Sequence, residues 1–199
     1  TLYAQNIKTM KYTRVLTIYF NEEIAPHEVT LFRGAIINVL GQQADLLFHN
    51  HKGDGFNYAY PLIQYKRIHK KAAIVCINEG ADLIGQLLAK GSLTLTLGDR
   101  LIELTVEKVV PQRITTQVWD STFRYHLRRW LPLNSDNYKL YRSLETEIER
   151  IELLERLLTA NLISFLKGTG IWIEQQISCK ILNQSAPYLI RNKDVSLMA

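Results

Sequence analysis

The feature that most restricts the fold is the succession of hydrophobic periods between Thr13 and Val106. Residues 13–20 (TRVLTIYF) are β-branched and aromatic, which suits a strand. Residues 21–25 read as a loop, and Pro26 can open a helix at its first position, where its missing N–H leaves no bond unmade. Leu31, Phe32, Ala35, Ile36, Val39 and Leu40 then recur at helical spacing, with Gly41 as a stop. Gly34 sits mid-helix at a cost of about 1 kcal/mol against Ala, which points to close packing or to a ligand approaching the backbone. Residues 46–48 suit a short strand, and residues 52–57 a loop around Gly53-Asp54-Gly55. Residues 58–66 alternate like a strand, with Pro61 marking an edge or a bulge. His69-Lys70-Lys71 is a turn, and residues 72–77 form a buried strand. A helix follows, with Leu83/Leu87 and Ile84/Leu88 as i,i+4 pairs, ending near Gly91. Leu93, Leu95 and Leu97, then Ile102, Leu104 and Val106, alternate on either side of Gly98-Asp99 as a hairpin. This order, β-α-β-β-α-β plus a hairpin extension, predicts an α+β chain whose residues 1–112 form a ferredoxin-like domain.

The second half is less regular. Residues 113–142 are rich in Arg and aromatics and are broken by Pro132, Asn134 and Asp136, so they read as a connector. Ser143 can cap a long helix whose first turn carries Glu145 and Glu147. Leu144, Ile148, Ile151, Leu154, Leu158, Leu162 and Phe165 are its expected apolar stripe, and Lys167-Gly168 its end. Ile171, Ile173, Ile177, Cys179 and Ile181 then alternate with polar residues as an amphipathic strand. Residues 143–199 are therefore predicted to be a partial second α+β domain.

Composition narrows the function. The 199 residues are 47% hydrophobic, enough for a core. Lys and Arg exceed Asp and Glu by 24 to 19, a modest +5 that points weakly to a polyanionic partner. No apolar run approaches the roughly 18 residues of a membrane helix, so no membrane is expected. The opening TLYAQNIKTMKYTR lacks the order of a signal peptide. Two distant cysteines, Cys76 and Cys179, exclude a disulfide framework and a Cys-rich zinc module. A reducing, cytoplasmic home is the default expectation. No nucleotide-binding or α/β-hydrolase motif occurs, and Gly168-Thr169-Gly170 opens a strand, not a helix, which makes a poor phosphate cradle.

His49-Asn50-His51 is the segment best suited to chemistry. In a strand, positions i and i+2 face one side, so both imidazoles can address one site. With an unperturbed pKa near 6.5, such a pair can divide into a neutral base and a charged acid. RNA strand cleavage uses that division: the base takes the 2′-OH proton and the acid protonates the leaving 5′-oxygen. The same spacing is also a metal half-site, which needs a third and usually a fourth ligand that His69, Asp54 or Cys76 could supply only by chance of folding, or a pair of structural histidines. Lys66, Arg67, His69, Lys70 and Lys71 cluster about one turn, and Arg124, Arg128 and Arg129 suit a helical stripe beside Tyr125 and Trp130. Arg with aromatics suits RNA, through phosphate pairing and base stacking. Tyr58, Tyr60 and Tyr65 suit a stacking surface or half-buried sheet packing. Glu152–Arg156 reads as a structural i,i+4 pair.

Four motifs in order, LFRGAI (31–36), LLFHNH (46–51), YAYPLIQYKRI (58–68) and AAIVCINEGAD (72–82), resemble the amino-terminal part of CRISPR-associated repeat-processing endoribonucleases of the repeat-associated mysterious protein superfamily. FLKGTGIWIEQQISCKIL (165–182) resembles the start of the carboxy-terminal domain in the branch with paired histidines. The resemblance implies tandem ferredoxin-like domains and metal-independent cleavage of CRISPR precursor RNA within its repeats, with no cofactor. It implies His49 and His51 as catalytic residues. Arg33, Lys52, Tyr58, Tyr60, Lys66, Arg67, Lys70, Lys71, Arg124, Arg128 and Arg129 are the expected RNA contacts. Repeat RNA is the expected partner, with other CRISPR-associated effector subunits and a second copy of the chain as further candidates. A non-catalytic RNA-binding scaffold of the same superfamily is the alternative. The resemblance also implies a glycine-rich loop near the carboxyl end that helps hold the RNA; nothing like it follows Ile190, so either the chain is truncated or its distal part is not ordered or not included, and a protein lacking the loop is expected to bind or cut RNA poorly.

Overall fold

The computed structural model describes residues 12–40, 51–52, 55–56, 60–89, 91–116, 119–127, 130–184, 188–190 and 193–196; for 51–52, 55–56, 86, 188–190 and 193–196 it describes the backbone alone. The chain is α+β and divides into two compact units. The first spans Thr1–Thr116 and includes Gly168–Ile171; the second comprises Gln117–Lys167 and Trp172–Ala199.

The first unit is built on β1 (Tyr12–Glu23), β4 (Ile63–Ile68), β5 (Lys71–Ile77) and β8 (Val106–Thr115), joined as one antiparallel sheet in the order β4-β5-β1-β8. Two other ladders are short: β2 (His51–Lys52) with β3 (Gly55–Phe56), and β6 (Leu93–Leu97) with β7 (Arg100–Leu104). Register places apolar residues in rows across the sheet. Ile63 pairs with Cys76 and Cys76 with Leu16; Tyr65 pairs with Ile74 and Ile74 with Ile18. Helix α1 (Val29–Leu40), preceded by one 3-10 turn (Pro26–Glu28), lies on these rows. Its Phe32 meets Phe20 and Tyr65 edge-to-face, with centroids 5.9 and 5.8 Å apart. Such pairs add about 0.5–1.5 kcal/mol each beyond burial. The hairpin β6–β7 supplies Leu93, Leu95, Leu97, Ile102 and Leu104 to the same core.

Polar clips fix the ends of these elements. Arg100 bonds Glu22 Oε1 at 2.6 Å, Glu28 Oε1 at 3.0 Å and the Glu23 carbonyl at 3.0 Å, tying the hairpin to the start of α1. Glu28 also accepts from the Ala25 N–H at 2.6 Å, and together Arg100 and this N–H hold its carboxyl below the usual range. Asn21 donates its N–H to Thr105 O at 3.1 Å and accepts from the Thr105 N–H at 2.9 Å through Oδ1. These bonds keep residues 21–23 in β1, where a loop was expected from sequence.

Other elements also depart from the periodicity. β4 begins at Ile63, and residues 60–62, expected in the strand, lie outside it: Pro61 has no N–H to donate, and the Leu62 carbonyl is held by Ile77 N at 2.8 Å. The predicted helix near Leu83 is two short ones, α2 (Glu79–Leu83) and α3 (Gly85–Leu88), with poor helix formers Gly80 and Gly85 near their starts. Lys52, Gly55 and Phe56 pair in a ladder, not a loop. β8 occupies positions read as hairpin end and connector. It is an edge strand exposed along most of its length, so it shows no one-sided alternation, and Pro111 is tolerated there. The predicted strand at residues 46–48 and the stop at Gly41 lie outside the described residues.

Among the described residues, the second unit is helical with one small hairpin. Asn134 caps α4 (Ser135–Ser143) by accepting from Asn137 N at 2.8 Å. Ser143 ends that helix and does not open the next. Thr146 and Glu149 form a reciprocal capping box for α5 (Glu147–Gly168), at 3.2 Å and 2.9 Å. The buried face of α5 is centred on Leu153, Leu154 and Glu155, while the predicted stripe members Ile148 and Leu162 are exposed. Leu154 and Leu133 form a small core with Trp130, Tyr138, Tyr141, Leu157 and Ile181 around them. Ile173, Ile177, Cys179 and Ile181 are half-buried and alternate with exposed neighbours, but residues 171–181 are not a strand. Alternation there reports one-sided burial; no neighbouring strand among the described residues supplies a ladder. β9 (Tyr188–Ile190) pairs with β10 (Lys193–Ser196).

Candidate functional site

Of the two candidate catalytic histidines, His51 opens β2 opposite Phe56, and Lys52 stands opposite Gly55. His49 lies outside the described residues, as do Tyr58, Arg128 and Arg129. Among the described residues, no three His, Cys, Asp or Glu side chains converge as a metal set would. Cys76 is buried in the core, which pushes its thiol up to about 12 and makes it a poor nucleophile.

Three expected RNA contacts converge on one cavity in the first unit. Arg33 from α1, Tyr60 just before β4 and Lys66 within it line a volume of about 360 Å³, together with Val29, Pro61, Ile63, Gln64 and Tyr65. Arg33 is half-buried and the Lys66 side chain exposed. Neither meets a carboxylate among the described residues, in contrast to Arg14, Lys71, Arg100 and Lys180. Loss of water around the Lys66 ammonium lowers its pKa from the ordinary lysine value. Burial pushes the Tyr65 phenol up, against the opposing pull of the Arg33 charge. Gln64 donates from Nε2 to the Tyr60 hydroxyl at 3.0 Å and to the Pro61 carbonyl at 3.2 Å. The cavity lining therefore includes two cations, planar and apolar walls, and an amide bonded to Tyr60 and Pro61.

The other basic residues are used differently. Arg67 donates from Nε to the Ile24 carbonyl, which anchors the turn before α1. Lys71 bonds both Glu107 oxygens, at 2.6 and 2.8 Å. His69 and Lys70 make a two-residue turn between paired Ile68 and Lys71, both with positive φ, 49° and 69°. In the second unit, Arg124 is exposed between Phe123 and Tyr125, whose rings lie 6.5 Å apart. The described residues 119–127 are not helical, so the expected helical stripe of arginines is absent there, and Trp130 packs on the Leu133–Leu154 core.

Sequence reasoning missed three supports of the cavity. A methyl group at Gly80 would lie 2.6 Å from the Leu62 carbonyl, and one at Gly168 would overlap Tyr60 Cβ. Asn78, at φ 47° and ψ −113°, accepts from Arg14 N at 2.9 Å and donates from Nδ2 to Thr169 O at 2.9 Å. The glycines were visible in the sequence, but close approach leaves no local signature.

Two domain models of one family match in succession, the Cas6b N-terminal domain over residues 8–115 and the Cas6b C-terminal domain over residues 117–199. The chain belongs to the Cas6b family. The junction between the two matches falls just after β8, beside the boundary between the compact units. Among solved structures, a crystal structure of Cas6b aligns with TM-score 0.72 at 22% identity, covering 94% of this chain and 86% of the other. A crystal structure of the CRISPR RNA processing endoribonuclease Cas6b aligns with TM-score 0.63 at 20% identity, covering 94% and 85%. At such identities the likeness shows a shared α+β fold. No curated protein matches the chain. Among the described residues, no helix is long and apolar enough to cross a membrane.

Proposed function

We propose that this Cas6b-family chain is an endoribonuclease that cleaves CRISPR precursor RNA within its repeats, in the cytoplasm, to release guide RNAs. The observation that carries this reading is the succession of both Cas6b domain matches along the chain, with His49 and His51 inside the first. The antiparallel order β4-β5-β1-β8, with α1 between β1 and β4 and α2–α3 between β5 and β8, supports a ferredoxin-like first domain.

In this mechanism one histidine, as base, removes the 2′-OH proton. The 2′-oxygen attacks the adjacent phosphorus, the P–O5′ bond breaks, and the other histidine protonates the departing 5′-oxygen. The products are a 2′,3′-cyclic phosphate and a 5′-hydroxyl, and no metal takes part. Arg33, Lys52, Lys66, Arg67, Lys70, Lys71, Arg124, Arg128 and Arg129 supply charge to the RNA backbone, and Tyr58 and Tyr60 supply rings. The pairings of Arg67 and Lys71 make them the weakest members of this set.

Changing both His49→Ala and His51→Ala is expected to abolish cleavage of labelled repeat RNA and to leave its Kd within about threefold. Full cleavage by the double variant would overturn the two-histidine mechanism. Excess EDTA is expected to leave the rate unchanged. Binding without cleavage by the unaltered chain would instead identify an RNA-binding scaffold.

A further inference from the structure

We propose that the cavity between Arg33, Tyr60, Gln64 and Lys66 seats one unpaired nucleotide of the RNA, its base against Tyr60 and Pro61 and its phosphate on the two cations. The inference rests on the RNA-processing reading above.

Size is the first support. A volume of about 360 Å³ lies near the lower end of the roughly 300–1,000 Å³ of small-ligand pockets. It suits a single nucleotide and not a duplex. Charge is the second. Arg33 and Lys66 have no carboxylate beside them among the described residues, where Arg14, Lys71, Arg100 and Lys180 each have one, so neither charge is offset there by an anion. A phosphate would supply that anion, and Arg33 can address it through more than one N–H. The walls are the third. Pro61, Val29 and Ile63 are apolar, Tyr60 is an aromatic ring, and sequence-tolerant stacking on such surfaces is how single strands are held.

Rigidity is the fourth support. The stretch carrying Tyr60, Pro61 and Leu62 is wedged between Gly80 and Gly168, with no room for a methyl group at either. The Leu62 carbonyl is fixed by Ile77 N at 2.8 Å, and the Tyr60 hydroxyl by Gln64 at 3.0 Å. Asn78 holds a left-handed φ that costs about 1–3 kcal/mol, and its amide reaches Thr169 beside Gly168. The wall is thus set before any ligand arrives, which reduces what binding must order.

The test uses the full chain and repeat RNAs carrying a single abasic site at each unpaired position in turn. Kd is measured by filter binding for the unaltered chain, Gln64→Ala, Gly168→Ala and the double variant Arg33→Ala with Lys66→Ala, each checked for folding by circular dichroism. One abasic position is expected to weaken binding by the unaltered chain roughly tenfold, in keeping with the strength of base stacking. Gln64→Ala and Gly168→Ala, which release or crowd Tyr60, should shrink that penalty to about twofold while other positions keep theirs. The double variant should reduce the slope of log K against log salt by about 0.7, the share of one single-strand phosphate. Binding and cleavage with no abasic position coupled to Gln64 or Gly168 would overturn the nucleotide seat alone. An unaltered salt slope in the double variant would overturn the phosphate contact. Failure of the unaltered chain to bind repeat RNA would overturn the RNA reading and the seat with it.

Discussion

The two units are held together by different physics. The first draws its core from β1, β4, β5, β6, β7, α1 and α3, around Phe20, Phe32 and Tyr65. The second centres on Leu133 and Leu154, and it fixes the segment after α5 with a charge. Glu155 is buried on α5, accepts from Ile181 N at 3.0 Å and bonds Lys180 at 2.7 Å. Burial alone would raise its pKa, but Lys180 and the Ile181 N–H outweigh burial and hold it below the usual carboxylate value. The difference teaches where each unit is vulnerable: the first to loss of apolar volume, the second to loss of one ionised carboxylate. Trp119, Trp130 and Trp172 all lie in the second unit, so tryptophan fluorescence reads that unit by itself.

The largest effect is expected from Phe32→Ala, which should destabilise the first unit by about 3–5 kcal/mol. Urea unfolding followed by far-ultraviolet circular dichroism measures it. If the tryptophan midpoint moves as far as the dichroism midpoint, the units unfold together and the contrast fails. Leu154→Ala should cost roughly 2–5 kcal/mol, read as a lowered tryptophan midpoint in urea. Thr146→Ala removes the cap of α5 and should cost about 1 kcal/mol, again in the tryptophan signal.

Acid should separate the two modes of stabilisation further. The folded-state pKa of Glu155 lies below its unfolded value, about 4.3. Its contribution is therefore complete above about pH 5 and is lost as pH falls through the lowered folded value. The tryptophan midpoint should drop with acid in the unaltered chain and flatten in Glu155→Gln; identical pH curves would remove the charge from the account. The smallest effect concerns the first unit. Lys70→Gly relieves a left-handed side-chain residue and should raise stability by about 0.5–1 kcal/mol, while repeat-RNA binding weakens slightly through the lost charge.

Much of the first unit was legible, because its strands and α1 bury one face. TRVLTIYF and the stretch from Ala72 to Ile77 announce β1 and β5, and the LTLTL alternation announces β6. β8 was not legible, since an edge strand with most residues exposed carries no period. The turn expected over His69-Lys70-Lys71 is confined to His69 and Lys70, since Lys71 already pairs in β5, and its left-handed backbone is unmarked by Gly or Asn. In the second unit the period misled twice. Alternation over residues 171–181 records burial without pairing, and the α5 stripe is rotated because Glu155 is buried for its hydrogen bonds, where a hydrophobic pattern counts it as polar.

For the candidate site the division is sharper. The order of motifs and the spacing of His49 and His51 were readable directly, because family likeness and strand parity are properties of the chain. Arg33 and Lys66 were each recognisable as basic residues suited to RNA. That they share one cavity with Tyr60 and Gln64, while Lys71 is bound to Glu107 and Arg67 to a carbonyl, was decided by tertiary structure. Periodicity reports which face of a local element is buried. Convergence depends on strand order and register, and on backbone approaches such as Gly168 to Tyr60, which join residues far apart in the chain.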